Sequence, residues 1–180
     1  LPEKNADERA ELILSMQAAG LKKRLKHTNS ATAVIGISGG LDSSLALLVT
    51  VRAFQALGKD PKDIVAVTMD IVLRRQLVKE VTMPCFGTTD KTLQNSLKLM
   101  EALGVTSRTV PVKDAVLQHF KDISHDENNK NAAYENAQAR MRTLVLMDIA
   151  NDANGIVIGT GDLSELALGW ATYNGDHMSM

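Results

Sequence analysis

Short apolar segments alternate with longer segments of helical periodicity, and this alternation constrains the fold more than any other feature. The apolar segments are too short for typical helices and are typical of strands buried on both faces of a sheet. Alternating strands and helices predict a parallel sheet with right-handed crossovers, sandwiched by helices in a single α/β domain. The predicted strands are 33–37, 64–67, a third and weaker strand at 106–110, and 155–159. The predicted helices are a first helix that Asp7 caps and that extends to about residue 26, then 43–57, 92–103, 112–120 and 134–150. Helical spacing places on their apolar faces Leu14, Ala18, Leu21 and Leu25 in the first helix, Leu45, Leu48, Val49 and Ala56 in the second, and Tyr134, Ala137, Met141, Leu144 and Val145 in the last.

Glycine-rich segments follow the first and the fourth predicted strands. Residues 38–44 read Ser-Gly-Gly-Leu-Asp-Ser-Ser, and residues 159–161 read Gly-Thr-Gly. Ligands of open parallel sheets bind outside the carboxyl ends of the strands, where both segments are expected. Two glycines let the backbone approach an oxyanion, while helix-start amides and three serine hydroxyls supply hydrogen-bond donors. The first segment therefore predicts a site for a polyphosphate.

Asp42 lies inside this predicted polyphosphate loop. A carboxylate would repel phosphates unless a divalent cation lay between them, so its presence predicts Mg²⁺. The loop lacks both the Gly-Lys-Ser/Thr of P-loop NTPases and the Gly-x-Gly-x-x-Gly of dinucleotide folds. The alternative is a plain strand-to-helix turn in which Asp and Ser cap the helix. The complete string, placed between a buried strand and a helix, favours the phosphate site.

Composition excludes several other classes of function. The 20 Lys and Arg residues nearly balance the 21 Asp and Glu residues, which predicts no bulk attraction to nucleic acid or to an anionic membrane. Cys85 is the only cysteine, which excludes an intrachain disulfide and zinc fingers and indicates a reducing cytoplasm. The sequence identifies no paired base for a catalytic thiol, so Cys85 is expected to be structural. No apolar run approaches the roughly 20 residues that cross a bilayer. We predict a cytoplasmic protein with neither nucleic-acid nor membrane partners.

The 38–44 string resembles the pyrophosphate-binding loop of the ATP pyrophosphatase superfamily, which includes GMP synthetase, asparagine synthetase and tRNA-thiolating enzymes. Other segments are similar to the synthetase domain of NAD⁺ synthetase, and residues 84–90 and 170–173 are closer to its glutamine-dependent type. The resemblance implies an adenine nucleotide alpha hydrolase-like (Rossmann-like) fold. The similar segments are 134–142 (Tyr-Glu-Asn-Ala-Gln-Ala-Arg-Met-Arg), 159–165 (Gly-Thr-Gly-Asp-Leu-Ser-Glu) and 169–176 (Gly-Trp-Ala-Thr-Tyr-Asn-Gly-Asp).

This resemblance implies a ligase that forms a C–N bond. In that family the nicotinate carboxylate of deamido-NAD⁺ attacks the α-phosphorus of ATP, and pyrophosphate leaves. Ammonia, supplied by glutamine in the glutamine-dependent type, then displaces AMP and gives NAD⁺. The resemblance further implies Mg²⁺ and a homo-oligomer. Residues 1–180 are expected to be an ATP-binding synthetase domain from a longer polypeptide, without its N-terminal glutaminase domain and the C-terminal end of the synthetase domain, and inactive by itself.

Roles for individual residues also follow from the resemblance. The phosphate loop and the segment after the fourth strand are implied to bind ATP, and two carboxylates are implied to act in catalysis by holding Mg²⁺. A third set is implied to surround deamido-NAD⁺. The ATP-binding residues are Ser38, Gly39, Gly40, Asp42, Ser43, Ser44 and Thr160, the catalytic and metal-binding residues are Asp42 and Glu165, and the substrate-binding residues are Asn136, Arg140 and Asp176.

Several alternatives stay open at this stage. From its position alone, Glu165 is equally well a first-turn helix carboxylate, and Arg140 is by default a surface ion pair. Tyr173 stands where short ammonia-dependent members typically carry a substrate-contacting lysine, and residues 70–80 are not covered by the resemblance. The alternative functions are a non-catalytic nucleotide-binding or dimerisation module and another ATP pyrophosphatase, such as a GMP synthetase-like amidotransferase.

Overall fold

A computed structural model describes residues 5–70, 90–161, 163–169 and 172–175. In these ranges the chain forms a parallel sheet with helices packed on both faces, as the alternation predicts. No helix in them has the length and apolar composition needed to cross a membrane. The strands are β1 (Thr32–Gly36), β2 (Ile64–Asp70), β3 (Thr106–Pro111) and β4 (Gly155–Ile158). The helices are α1 (Ala6–Thr28), α2 (Leu41–Leu57), α3 (Asp90–Ala102), α4 (Lys113–Asp122), α5 (Ala132–Asp152) and α6 (Leu163–Leu168), with a 3₁₀ turn at Pro61–Asp63.

The sheet has the strand order β3-β2-β1-β4, and every neighbouring pair is parallel. The chain moves outward from β1 through β2 to β3 and then returns across the sheet to β4. With right-handed crossovers, the outward connections through α2 and α3 lie on one face and the return through α5 lies on the other. The strand order therefore reverses between β1 and β4, which are neighbours at the point of reversal.

Alternate residues of β1 point into two separate cores, as strand geometry requires. Ile35 packs with Leu47 and Phe54 of α2 on one face, whereas Val34 packs with Ile149 of α5 on the other. A third cluster joins α4 to the start of α5, and it includes Val116, Phe120, Tyr134 and Ala137. Both faces of the sheet are thus covered, with α2 packed on one face and α5 on the other.

The predicted apolar faces of the helices agree only in part with the structure. In α1 the predicted face is right, since Leu25 is buried and Leu14 is partly buried against the core. In α2 the expected Leu45 is 44% exposed, and in α5 the expected Leu144 is 52% exposed. Asp7 was expected to cap α1, but the helix begins at Ala6, so Asp7 lies in its first turn instead.

Close packing fixes the base of β4 against β1. Gly155 is paired with Thr32, and a Cβ atom at position 155 would lie 2.6 Å from the Thr32 carbonyl oxygen. That distance is shorter than any ordinary contact, so only glycine fits without a shift of the strand. Of residues 70–80, which the resemblance does not cover, only Asp70 is described, at the end of β2. Residues 71–89, including Cys85, lie outside the described ranges.

Candidate active site

The carboxyl ends of β1 and β4 meet at the point where the strand order reverses. The register pairs Ile35 with Ile158, so the loops that follow these two strands leave the sheet side by side. Helices α2 and α6 begin after these loops, and α5 also begins at this edge because it runs back along the sheet before β4. Such a reversal point is where open α/β sheets bind their ligands. Both glycine-rich segments therefore lie at the predicted edge.

The 38–44 loop is braced by its own serine hydroxyls. Gly39 has a φ of +85°, a conformation that side chains disfavour, and the Gly40 amide donates to Ser38 Oγ at 3.3 Å. Ser44 Oγ donates to the Gly40 carbonyl oxygen at 2.9 Å, and Ser43 Oγ donates to the same oxygen at 3.2 Å. Ser43 Oγ also lies 3.2 Å from Ser38 Oγ. These contacts constrain the conformation of the loop.

The first-turn amides of α2 are not capped by a side chain of the described residues. Gly40 is the cap residue, with extended backbone (φ −78°, ψ 171°), and no described side chain caps this end of the helix. Helix geometry leaves the first amides without intrahelical partners, so they point outward as a group with positive potential. This arrangement can bind an oxyanion, and the polyphosphate site at residues 38–44 stays a prediction.

Two carboxylates lie in the first turns of the helices that follow these two loops. Asp42 is exposed in the first turn of α2, and Glu165 is partly buried in the first turn of α6. A Cβ atom at Gly161 would lie 3.5 Å from Glu165 Oε2, so the Glu165 carboxylate lies over the loop that also carries Thr160. Within the described ranges no three or more His, Cys, Asp or Glu residues form a metal cluster. A pair of hard oxygen ligands instead suits an ion that is shared with ligand phosphates.

Asn136 and Arg140 lie one turn apart in the N-terminal half of α5 and contact a turn at residues 172–175. Thr172 Oγ1 donates to Asn136 Oδ1 at 3.0 Å, and Arg140 Nε donates to the Tyr173 carbonyl oxygen at 3.1 Å. Sequence reasoning did not single out Thr172, because no local pattern links it to a partner 36 residues away. The predicted residue Asp176 lies outside the described ranges.

Comparison with known proteins gives a consistent result. Residues 13–179 match the family model for NAD synthase. The chain is 41% identical over 170 residues to the glutamine-dependent NAD(+) synthetase of Mycobacterium leprae, covering 92% of this chain and 23% of that protein. It is 34% identical over 169 residues to the NH(3)-dependent NAD(+) synthetase of Pyrobaculum aerophilum, covering 92% of this chain and 55% of that protein.

A solved structure shares the fold. The NH3-dependent NAD synthetase from Campylobacter jejuni, in complex with the nitrate ion, superposes with a TM-score of 0.72 at 25% identity, covering 92% of this chain and 62% of that one. The sequence match and the structural match thus both extend along almost the whole chain. On these grounds the chain belongs to the NAD synthase family.

Proposed function

We propose that the protein carrying this chain is a ligase that amidates deamido-NAD⁺ to NAD⁺ at the expense of ATP. The chain spans only 23% of its glutamine-dependent relative from M. leprae, so this proposal concerns the full-length protein. The single observation that carries it is the open N-terminus of α2, which follows the braced 38–44 loop at the β1–β4 reversal point in a member of the NAD synthase family.

The chemistry explains why such a site is needed. A carboxylate does not accept ammonia until one of its oxygens becomes a good leaving group, and adenylylation supplies that group. Negative charge then develops on the departing pyrophosphate. The first-turn amides of α2 are fixed donors that can stabilise this charge without reorganising during the reaction. The site must also hold the two substrates in line and keep water from the adenylate.

The residues at the two loops fit a magnesium ion. Asp42 and Glu165 offer hard oxygen ligands from the first turns of the helices after adjacent strands, and Mg²⁺ prefers one or two carboxylates together with nucleotide phosphates. When bound, the ion supplies charge neutralisation on the phosphates. Asp42 and Glu165 would hold it. The residues proposed to bind the nucleotide are Ser38, Gly39, Gly40, Asp42, Ser43, Ser44 and Thr160. The side chains Asn136, Arg140 and Asp176 are proposed to surround the acid dinucleotide.

Assembly and the source of ammonia belong to the same proposal. Glutamine as the ammonia donor is supported by the name of the M. leprae relative, whereas the P. aerophilum relative is named for NH(3). A homo-oligomer and a cytoplasmic location stay predictions, based on the family resemblance and on the single cysteine.

The direct test is a product analysis of the full-length protein with ATP, Mg²⁺, deamido-NAD⁺ and ammonia. We expect NAD⁺, AMP and pyrophosphate in equal amounts. If XMP yields AMP and pyrophosphate while deamido-NAD⁺ does not, the protein is instead a GMP synthetase-like amidotransferase. If ATP binds and no acceptor is adenylylated, the protein is a nucleotide-binding module without this activity.

A matched pair of variants tests the metal assignment. Asp42→Asn removes a charged ligand and should lower the rate of NAD⁺ formation about 100-fold or more. Asp63→Asn makes the same chemical change at an exposed residue just before β2, at the opposite edge of the sheet, and should leave the rate unchanged. Equal rates for Asp42→Asn and the wild type would remove Asp42 from the metal site.

A further inference from the structure

The 172–175 turn is hydrogen-bonded to α5 through Thr172 and Asn136 and through the Tyr173 carbonyl oxygen and Arg140. We propose that Thr172 and Asn136 are positioning residues, which hold the turn so that Arg140 presents its terminal nitrogens to the anionic groups of the acid dinucleotide. This inference rests on the proposed function. Thr172 then contributes to recognition of the dinucleotide and not to binding of ATP.

The turn has a compact, well-defined shape. Its ends are joined by a hydrogen bond from the Gly175 amide to the Thr172 carbonyl oxygen at 2.9 Å. Asn174 occupies the third position with a φ of +59°, a left-handed conformation that asparagine tolerates. Gly175 is buried, and a Cβ atom there would lie 3.0 Å from the Thr172 carbonyl oxygen. The turn is closed at the Thr172 carbonyl, and the Tyr173 carbonyl oxygen accepts from Arg140 Nε.

The helix side of the contact is firmly anchored. Asn136 and Arg140 lie four residues apart, hence on one face of α5. Just before them, Asn131 caps the helix and Tyr134 is only 3% exposed, with its ring stacked on Phe120 at 5.3 Å between centroids. The turn is therefore held by a helix end that has little freedom to move.

Arg140 divides its donors between the protein and solvent. Its Nε bonds to the Tyr173 carbonyl oxygen, its side chain is exposed, and its Nη1 and Nη2 groups have no hydrogen bond to any described residue. A planar guanidinium held at Nε keeps a forked pair of donors that matches a carboxylate or a phosphate. Deamido-NAD⁺ carries both groups. The Thr172–Asn136 bond keeps the Tyr173 carbonyl in place and so fixes the direction of this fork.

The acceptor at position 173 is the backbone, which makes the arrangement independent of that side chain. Tyr173 is 78% exposed. A tyrosine in place of the lysine typical of short family members therefore leaves the Arg140 contact unchanged. The variant Tyr173→Lys should accordingly keep the hydrogen bond from Arg140.

The experiment measures steady-state NAD⁺ formation by the full-length protein with Thr172→Val and Thr172→Ser. Valine has nearly the volume of threonine but no donor, whereas serine keeps the hydroxyl. Loss of one such bond typically corresponds to about a 5- to 10-fold change in an equilibrium constant. We expect Thr172→Val to raise KM for deamido-NAD⁺ by about that factor with KM for ATP within twofold, and Thr172→Ser to restore the wild-type value.

A second measurement follows the turn without any turnover. Hydrogen exchange at the Gly175 amide, which closes the turn, should be faster in Thr172→Val than in the wild type or in Thr172→Ser. An unchanged exchange rate would overturn the contact as a constraint on the turn. Faster exchange with equal changes in both KM values, or with a lowered Tm alone, would reduce Thr172 to a structural role. Absence of NAD⁺ formation by the wild type would overturn the proposed function and the substrate assignment together, while the exchange rates would still report on the contact.

Discussion

Helices α2 and α5 begin at the same edge of the sheet, yet their first turns are completed in opposite ways. Asn131 Oδ1 accepts hydrogen bonds from the Ala133 amide at 3.0 Å and the Tyr134 amide at 3.2 Å, so α5 satisfies its own N-terminus. At α2 the cap residue is Gly40, which has no side chain to accept. Both helices carry the same kind of dipole. From this difference we expect that the cap residue decides which of the two termini can bind an anion.

The strongest way to break this comparison is to give α2 the kind of cap that α5 has. Position 40 has extended backbone, and a Cβ atom there meets only Ser38 Oγ at 3.4 Å, so Gly40→Asp should fold. Its carboxylate would accept from the first-turn amides and repel phosphates. We expect ATP affinity to fall about 100-fold or more while the free energy of unfolding stays equal or rises by up to about 1 kcal/mol. Titration calorimetry and urea unfolding measure the two quantities.

Gly40→Ala serves as the control for this experiment, because it adds a Cβ atom without an acceptor. ATP affinity in this variant should stay far above that of Gly40→Asp. Wild-type affinity in Gly40→Asp would show that the open terminus of α2 is not the phosphate site.

A smaller effect is expected from loosening the loop in front of α2. Ser38→Ala removes the acceptor of the Gly40 amide and the contact with Ser43 Oγ. The loop then loses part of its fixed shape, and ATP affinity should fall about tenfold, as for the loss of one or two hydrogen bonds. The same substitution at Ser107, an exposed residue of β3, should leave ATP affinity unchanged. An equal loss in both variants would contradict the role of Ser38.

For the capped N-terminus of α5 we expect the reverse pattern, in which a substitution changes stability but not ATP affinity. Asn131→Ala removes the cap of α5 and should lower the free energy of unfolding by about 1 kcal/mol. ATP affinity should stay within twofold of the wild type. Asn131→Asp keeps an acceptor oxygen and should recover most of the stability. A large fall in ATP affinity for Asn131→Ala would mean that the two termini are not functionally distinct.

The smallest effect concerns the other end of α2. Arg52 Nη2 donates to Glu11 Oε2 at 2.8 Å, and this side-chain hydrogen bond lowers the pKa of the Glu11 carboxyl. A lowered pKa stabilises the fold above the ordinary pKa of glutamate, and this contribution is lost as the pH falls through the lowered value. Arg52→Gln should therefore reduce stability slightly at neutral pH and not at strongly acidic pH.

Because both groups are exposed, added salt should shrink this difference. Urea unfolding at two pH values and two salt concentrations measures it, and ATP affinity should not change. A difference that persists at strongly acidic pH would show that Arg52 stabilises the fold by packing rather than by its charge.

Much of the architecture follows from local sequence. Strands β1, β2 and β4 come from apolar runs, and the helices come from helical spacing. Strand β3 is mostly polar and exposed, so its own sequence indicates it more weakly. The two glycine-rich segments could be placed at one edge because parallel strands end together. The adjacency of β1 and β4, in contrast, depends on the path of the return crossover, which no single segment encodes.

The details that escaped prediction have physical causes. Helix α2 carries apolar residues on nearly every side, so periodicity does not distinguish the exposed Leu45 and Leu48 from the buried Leu47 and Phe54. The contact between Asn136 and Thr172 joins residues that are distant in the chain and requires a particular turn conformation. Such contacts arise only when tertiary structure brings independent elements together.

The glycine at the base of β4 has an effect that reaches the far end of that strand. Because no side chain fits between position 155 and the Thr32 carbonyl oxygen, Gly155 determines how closely β4 packs against β1. At about 3.3 Å of rise per residue, the loop bearing Thr160 begins more than about 10 Å away. A methyl group added at Gly155 would push β4 away from β1 and separate the two glycine-rich loops. Impaired catalysis would then trace to a position that never meets a substrate.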